Sequence, residues 1–193
     1  MTGHDYEVVE STVQYRGPIF TIRTDKVTMP GGTVAQRDYI EHGGAVGAVA
    51  VDPDGRVLLL RQYRHPVRER LWELPAGLSD VDGEPAVETA RRELYEEAGL
   101  RAATWRRLTD TLTSPGMTNE RMRLFLAQDL SEVPDGERFE REHEEAELES
   151  AWFTLDEAVR MVFDGQIRNA TCVIGVLATA RVAEMGWERL PRI

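Results

Sequence analysis

The chain has a single cysteine, Cys172, so no internal disulfide can form, and a reducing cytoplasm is the expected compartment. No apolar run approaches the length of a membrane span. The first ten residues, MTGHDYEVVE, lack the basic and apolar regions of a secretory signal. A basic excess is missing as well: 23 Lys and Arg stand against 34 Asp and Glu, a net charge of −11. Such acidity argues against an open nucleic-acid groove and against attachment to anionic lipid. It leaves room for a phosphate-bearing substrate, provided local arginines or a bound divalent cation reverse the field. Repeats and low-complexity linkers are absent too. With 41% hydrophobic and 30% charged residues, the 193-residue chain has the balance of a globular protein with a sizeable core. Its length suits one generous domain, or one domain with a small appendage.

What is present begins with β structure. The segments STVQYRGPIFTIRTDKVTM and TVAQRDYIEH flank Pro30-Gly31-Gly32, a hairpin signal between alternating stretches. Residues 1–42 are therefore expected to form a small N-terminal antiparallel β unit. Too small to bury its own core, it must lie on the main domain or on a partner chain. From Gly43 the texture changes, and 43–193 reads as the main domain. GGAVGAVAVD and RVLLLRQYR are apolar strands about a PDG turn, and LWELPAG is a strand running into a turn. Pro85 suits the first turn of a helix and Gly99 its C-terminal cap, which predicts a helix over 85–98. RMRLFLAQDL and ESAWF read as later strands. Thr154 and Glu157 form a capping box that opens a helix ending at Asp164-Gly165. Val173, Val176 or Leu177, and Ala180 give a last helix over 170–185 its apolar spacing. Without a strict βαβ alternation, the expected class is α+β or a three-layer α/β/α sandwich.

Residues 91–100, RRELYEEAGL, concentrate three glutamates on the first helix. Glu93 and Glu97 differ by only about 40° around the axis, one turn apart. Val87, Ala90, Leu94 and Ala98 mark the buried stripe, and the two glutamates lie at its edge. Glu96 points further toward solvent but stays beside Glu93. Carboxylates so placed repel one another and resist ionisation unless a cation neutralises them. Oxygen-only ligands suit Mg²⁺ or Mn²⁺ better than zinc, for which His and Cys are the norm. A solvated glutamate-rich face is the alternative, and this spacing alone does not separate the two.

The surrounding pattern does. GLSDVDGEPAVETARRELYEEAGL, residues 77–100, resembles the signature of the Nudix hydrolases: Gly, a five-residue gap, Glu, a seven-residue gap, then Arg-Glu-aliphatic-x-Glu-Glu-x-Gly-aliphatic. Glu84, Arg92-Glu93-Leu94, Glu96-Glu97 and Gly99-Leu100 all match. Gly77 departs, with six residues instead of five between it and Glu84. An extra residue in a surface loop is better tolerated than one inside a helix. The resemblance implies an α/β/α sandwich and Mg²⁺-dependent hydrolysis of a nucleoside diphosphate linked to another moiety. It makes Glu93, Glu97 and Glu96 metal ligands, with the Ala76 carbonyl completing the site. Glu84 and Arg92 would hold loop and helix together as an ion pair.

Outside that box the chain is most similar to the ADP-ribose pyrophosphatase branch. Pro115, in LTSPGMTNE, lies sixteen residues beyond Gly99, a feature of that branch. The N-terminal β unit also fits, because these enzymes use one in a domain-swapped homodimer. The branch carries a late acidic residue in EREHEEAELES, before the strand AWF. Glu145 is the first choice for it, as catalytic acid and further metal ligand, and Glu144 the second, with His143 a bystander. Two or three divalent ions would neutralise the pyrophosphate and align a nucleophile. Arg64 in RQYRHP faces the diphosphate in this branch, and Arg37 is a further substrate arginine acting across the dimer. Glu73 contacts the terminal ribose or orients its loop. Ile19 and Phe20 stand where the branch stacks adenine, although a core role fits Phe20 equally well. Trp72 and Trp152 read as core. Met117 and Thr118 lie on a glycine-containing loop able to close on the substrate. The expected reaction is ADP-ribose to AMP and ribose 5-phosphate. The rivals are hydrolysis of another nucleoside diphosphate sugar or dinucleotide, and a non-catalytic ADP-ribose-sensing module.

Overall fold

The structure is a computed structural model, and it describes residues 3–79, 81, 83–140 and 147–193. They form two compact units, Met1–Gly44 with Leu112–Arg121, and Ala45–Thr111 with Met122–Ile193.

The smaller unit is an antiparallel sheet of β1 (Val8–Arg16), β2 (Phe20–Thr28) and β3 (Val34–His42). The stretch read as continuous from Ser11 to Met29 breaks at Gly17-Pro18, where the Gly17 amide donates to the Phe20 carbonyl at 2.9 Å. The second turn is the predicted one. Gly31 and Gly32 both have positive φ, 89° and 83°, a region that side chains disfavour. The segment Leu112–Arg121 belongs to this unit, whereas the boundary read from sequence left it in the main domain. It is fastened to β3 by hydrogen bonds from the Ile40 amide to the Met117 carbonyl (2.9 Å) and from the His42 amide to Asn119 Oδ1 (2.8 Å).

The larger unit contains β4 (Ala45–Ala50), β5 (Arg56–Arg64), β6 (Glu69–Glu73), β7 (Ala76–Leu78) and α1 (Ala86–Ala98). After these come β8 (Leu100–Leu112), β9 (Arg121–Glu132), β10 (Glu149–Thr154), α2 (Leu155–Phe163) and α3 (Ala170–Met185). The strands form two sheets, β10-β5-β6 and β7-β4-β9-β8, with β4 parallel to β9 and antiparallel to β7. Period-two alternation sorts their side chains between two cores. Val46, Ala48, Ala50, Leu58 and Leu60 pack with Ala90 and Leu94 of α1. Val49, Val51, Val57 and Leu59 pack instead with Ala158 of α2 and with Cys172 and Val176 of α3. Helices thus cover both faces, the three-layer α/β/α arrangement expected.

Local chemistry fixes the helix ends. Gly99 caps α1 in the left-handed conformation (φ 63°), and its amide bonds to the carbonyls of Leu94 and Tyr95. Thr154 and Glu157 make the full capping box at α2. The buried face of α3 differs from the apolar spacing in its sequence. Cys172, Gly175, Val176 and Thr179 are buried, while Leu177 is exposed. Gly175 is the reason: a Cβ there would lie 2.5 Å from Leu74 Cδ1, so the helix packs closely through a small residue. Trp72 joins the core as expected, in a T-shaped contact with Phe153 at 5.2 Å. Trp152 does not. It alternates with Phe153 on β10, an edge strand, and is exposed.

Leu94 is wholly buried at the centre of the α1 contact. Leu94→Ala is expected to destabilise the protein by about 2–5 kcal/mol, read from the midpoint of urea denaturation.

Candidate active site

The glutamates of α1 are buried more deeply than their place on the helical wheel suggested. Glu93 and Glu97 are 9% and 6% exposed and lie inside the stripe with Thr89, Ala90 and Leu94. The outer positions Val87 and Ala98 are only partly buried. Strand β7 causes the shift, because it runs against the helix and covers the glutamate face. The Ala76 amide donates to Glu97 Oε2 at 2.8 Å. Beside it, a Cβ on Gly77 would sit 2.2 Å from both Cδ and Oε1 of Glu93, so the carboxylate occupies the space that a side chain would need. Gly77 entered the sequence argument only as a spacing marker; its role is to seat Glu93.

Arg92 supplies positive charge to this cluster. Its Nη1 lies 2.8 Å from Glu93 Oε1 and 3.4 Å from Glu96 Oε2. Its Nη2 lies 3.7 Å from Glu84 Oε2, the loop-to-helix pair expected. Glu84 also accepts from Thr89 Oγ1 at 2.7 Å, a contact absent from the sequence reading. Glu96 is only partly buried and is directed at Arg92. Ala76 meets Glu97 through its N–H, whereas the resemblance had invoked its carbonyl.

The donors available are oxygens on two buried carboxylates, which fits a hard divalent cation. Among the described residues, no group of three His, Cys, Asp or Glu side chains is arranged to hold a metal ion. Glu144, Glu145 and His143 lie outside the described residues.

Arg64 and Glu73, predicted separately, are partners. Arg64 Nη2 lies 2.6 Å from Glu73 Oε2, and its Nε lies 3.0 and 3.1 Å from the two carboxylate oxygens. Glu73 is buried, while about half of the Arg64 side chain is exposed. The carboxylate therefore fixes one edge of the guanidinium and leaves the group facing outward. Cys172 is no nucleophile: burial pushes its thiol up, and the charge of Glu73 pushes in the same direction.

In the smaller unit, Arg37, Met117 and Thr118 line one cavity of about 480 Å³ together with Tyr39, Asn119 and Arg121. Met117 and Thr118 sit on the segment fastened to β3. Ile19 and Phe20 are exposed, so the core alternative for Phe20 is set aside.

Residues 41–173 match the NUDIX domain family. An ADP-ribose pyrophosphatase of Mycobacterium tuberculosis is 47% identical over 182 residues, 94% of this chain and 86% of that protein. An ADP-ribose pyrophosphatase of Bacillus subtilis is 32% identical over 157 residues, 81% of this chain and 82% of that one. A crystal structure of an ADP compounds hydrolase superposes with a TM-score of 0.78 at 22% identity, covering 96% of this chain and 98% of that chain. This chain belongs to the Nudix family. It is a pyrophosphohydrolase of that family, whose members generally need a divalent metal.

The contact between Gly77 and Glu93 predicts a non-additive pair. Gly77→Ala alone is expected to destabilise by about 1–3 kcal/mol through overpacking. In a Glu93→Ala background most of that loss should vanish. A double-mutant cycle by urea denaturation should give a coupling of at least about 0.5 kcal/mol.

Proposed function

We propose that this chain hydrolyses the pyrophosphate linkage of ADP-ribose to AMP and ribose 5-phosphate, with Mg²⁺ or Mn²⁺ held by Glu93 and Glu97. The single observation carrying this is the buried carboxylate pair seated on Ala76-Gly77 within a Nudix box that keeps every acidic position. The names of the two relatives supply the substrate.

Two or three bound divalent ions would offset the negative charge of the pyrophosphate. The other roles fall to the protein. Glu93 and Glu97, fixed by β7, present oxygens at a constant position. Arg92 holds Glu93 and Glu96 in place and limits repulsion between them. Arg64, steadied by Glu73, is the arginine that meets the diphosphate through charge-assisted hydrogen bonds. Water adds to one phosphorus, the bond from that phosphorus to the bridging oxygen breaks, and Glu145 or Glu144 accepts the proton from the water. Within the smaller unit, Arg37, Met117 and Thr118 share one cavity and Ile19 and Phe20 are exposed, which keeps them as that unit's candidates for substrate contact.

The exposed apolar residues of the small unit, among them Val8, Val13, Tyr15, Ile19 and Phe20, support a homodimer formed through residues 1–42. One buried free cysteine is in keeping with the cytoplasm. No helix among the described residues is long and apolar enough to cross a membrane.

Glu97→Gln keeps the size and the hydrogen-bond acceptor but removes the charge. It is expected to lower ADP-ribose turnover by roughly two orders of magnitude or more, with an unchanged thermal melt. Release of AMP and ribose 5-phosphate, followed by anion-exchange chromatography, is the measurement. With the wild-type protein, ADP-ribose should outrun GDP-mannose and NADH. Equal rates on all three would remove the substrate assignment.

A further inference from the structure

The net charge of −11 conceals a place in the larger unit where arginine gathers. Arg61, Arg70 and Arg168 line a cavity of about 590 Å³ with Trp72, Gln166 and Glu69. Strand register separates it from the carboxylate site. Arg61 pairs with Trp72 and Tyr63 with Arg70, whereas Leu60 pairs with Glu73. Alternation therefore puts Arg61, Arg70 and Trp72 on one face of the sheet and Glu73 with Arg64 on the other; of the cavity's strand residues, only Glu69, opposite Arg64 at the end of β6, shares the parity of Glu73. Arg168 and Gln166 come from the turn between α2 and α3, which lie on the Trp72 side.

Each guanidinium has a carboxylate neighbour: Arg61 with Glu149 at 3.8 Å, Arg70 with Glu147, and Arg168 with Glu69. All three pairs are solvent-exposed, and exposed pairs contribute little to stability. The closest approach recorded for each pair uses a single terminal nitrogen, out of five N–H donors on each arginine. A dianion with three oxygens matches two such forks better than separate monoanionic carboxylates do. Lys26 is the sole lysine among the 23 basic residues, so forked recognition is the mode open to nearly every cation here. The Arg61 guanidinium lies 5.8 Å from the Trp72 ring centroid, which holds it over the cavity wall.

We propose that this cavity is a second anion site, binding a phosphomonoester on the face of the sheet opposite the carboxylate pair. Arg61 and Arg168 grip the phosphate, and Gln166 donates from the side. The exposed glutamates swing aside as the ligand enters. The class includes both products assigned above, but the site stands on its own geometry and does not depend on turnover.

Isothermal titration calorimetry at low ionic strength and without added divalent metal is the test, with AMP, ribose 5-phosphate and inorganic phosphate as separate probes. Inorganic phosphate and ribose 5-phosphate, which lack the base, are expected to bind the wild-type protein and Arg64→Gln with equal affinity. Arg61→Gln/Arg168→Gln should weaken binding roughly tenfold or more. Glu149→Gln, which releases Arg61, should tighten it and guards against misfolding of the double variant. AMP binding alone would point to the base rather than the phosphate and would overturn the proposal; equal binding of AMP and ribose 5-phosphate would assign recognition to the phosphate. Absence of binding by the wild-type protein, loss in Arg64→Gln, or indifference to both cavity variants would overturn the proposal.

Discussion

The site depends on the burial of two carboxylates against a strand of three residues. Glu93 and Glu97 are not exposed acids that happen to face a substrate. They fill the space between α1 and β7, where Gly77 has no side chain to compete and Ala76 offers its amide. Burying charge in this way is unfavourable unless hydrogen bonds and counter-charge compensate. The amide and Arg92 supply part of that compensation, and a divalent cation would supply more. Much of the fold maintains this one contact. Strand β4 holds β7 by antiparallel pairing, and Ala90 and Leu94 hold α1 against the sheet.

The rest of the larger unit keeps that contact rigid. Gly99 ends α1 abruptly, and the chain turns into β8 at once. Tyr95, between Glu93 and Glu97 in the box, donates from its hydroxyl to the Glu137 carbonyl at 2.5 Å, while Arg101 lies near both its ring and the Glu137 carboxylate. One face of the helix thus serves the site. The opposite edge secures the loop that follows β9. On the far side of the sheet, close packing at Gly175 brings α3 onto β4 and β6, and Asn169 caps its N-terminus through the Cys172 amide.

The sequence made the elements legible where turn and cap residues are strong. Pro85 and Gly99 bracket α1 to within one residue, and Thr154 with Glu157 locates the start of α2. The motif singled out glutamates of which the fold buries two, Glu93 and Glu97, because a spacing of four along a helix is a local property. It could not show their depth. That depends on β7, which reaches the helix only in the folded chain. Pairing between Arg64 and Glu73 was hidden for the same reason, since adjacent strands bring together residues nine apart. Errors arose where burial does not follow hydrophobicity. Gly175 and Thr179 are buried on α3 while Leu177 is not, and Trp152 faces outward from an edge strand. The turn at Gly17-Pro18 was overlooked because β-favouring residues continue on both sides of it.

The segment Leu112–Arg121 gives the small unit an unusual connectivity. The chain completes the three-stranded sheet, builds most of the larger unit's β structure and its first helix, and then sends ten residues back to pair with Ile40 and His42 before continuing as β9. The small unit is therefore not a detachable leader. Cutting the chain near Gly44 would leave the Met117 carbonyl and the Asn119 side chain without their β3 partners, and the broken hydrogen bonds would fall midway along the chain. Residues 1–44 grafted alone onto another domain would lack these partners. The loop between β8 and β9 has to travel with them, so the two segments act as one structural piece although they are some seventy residues apart.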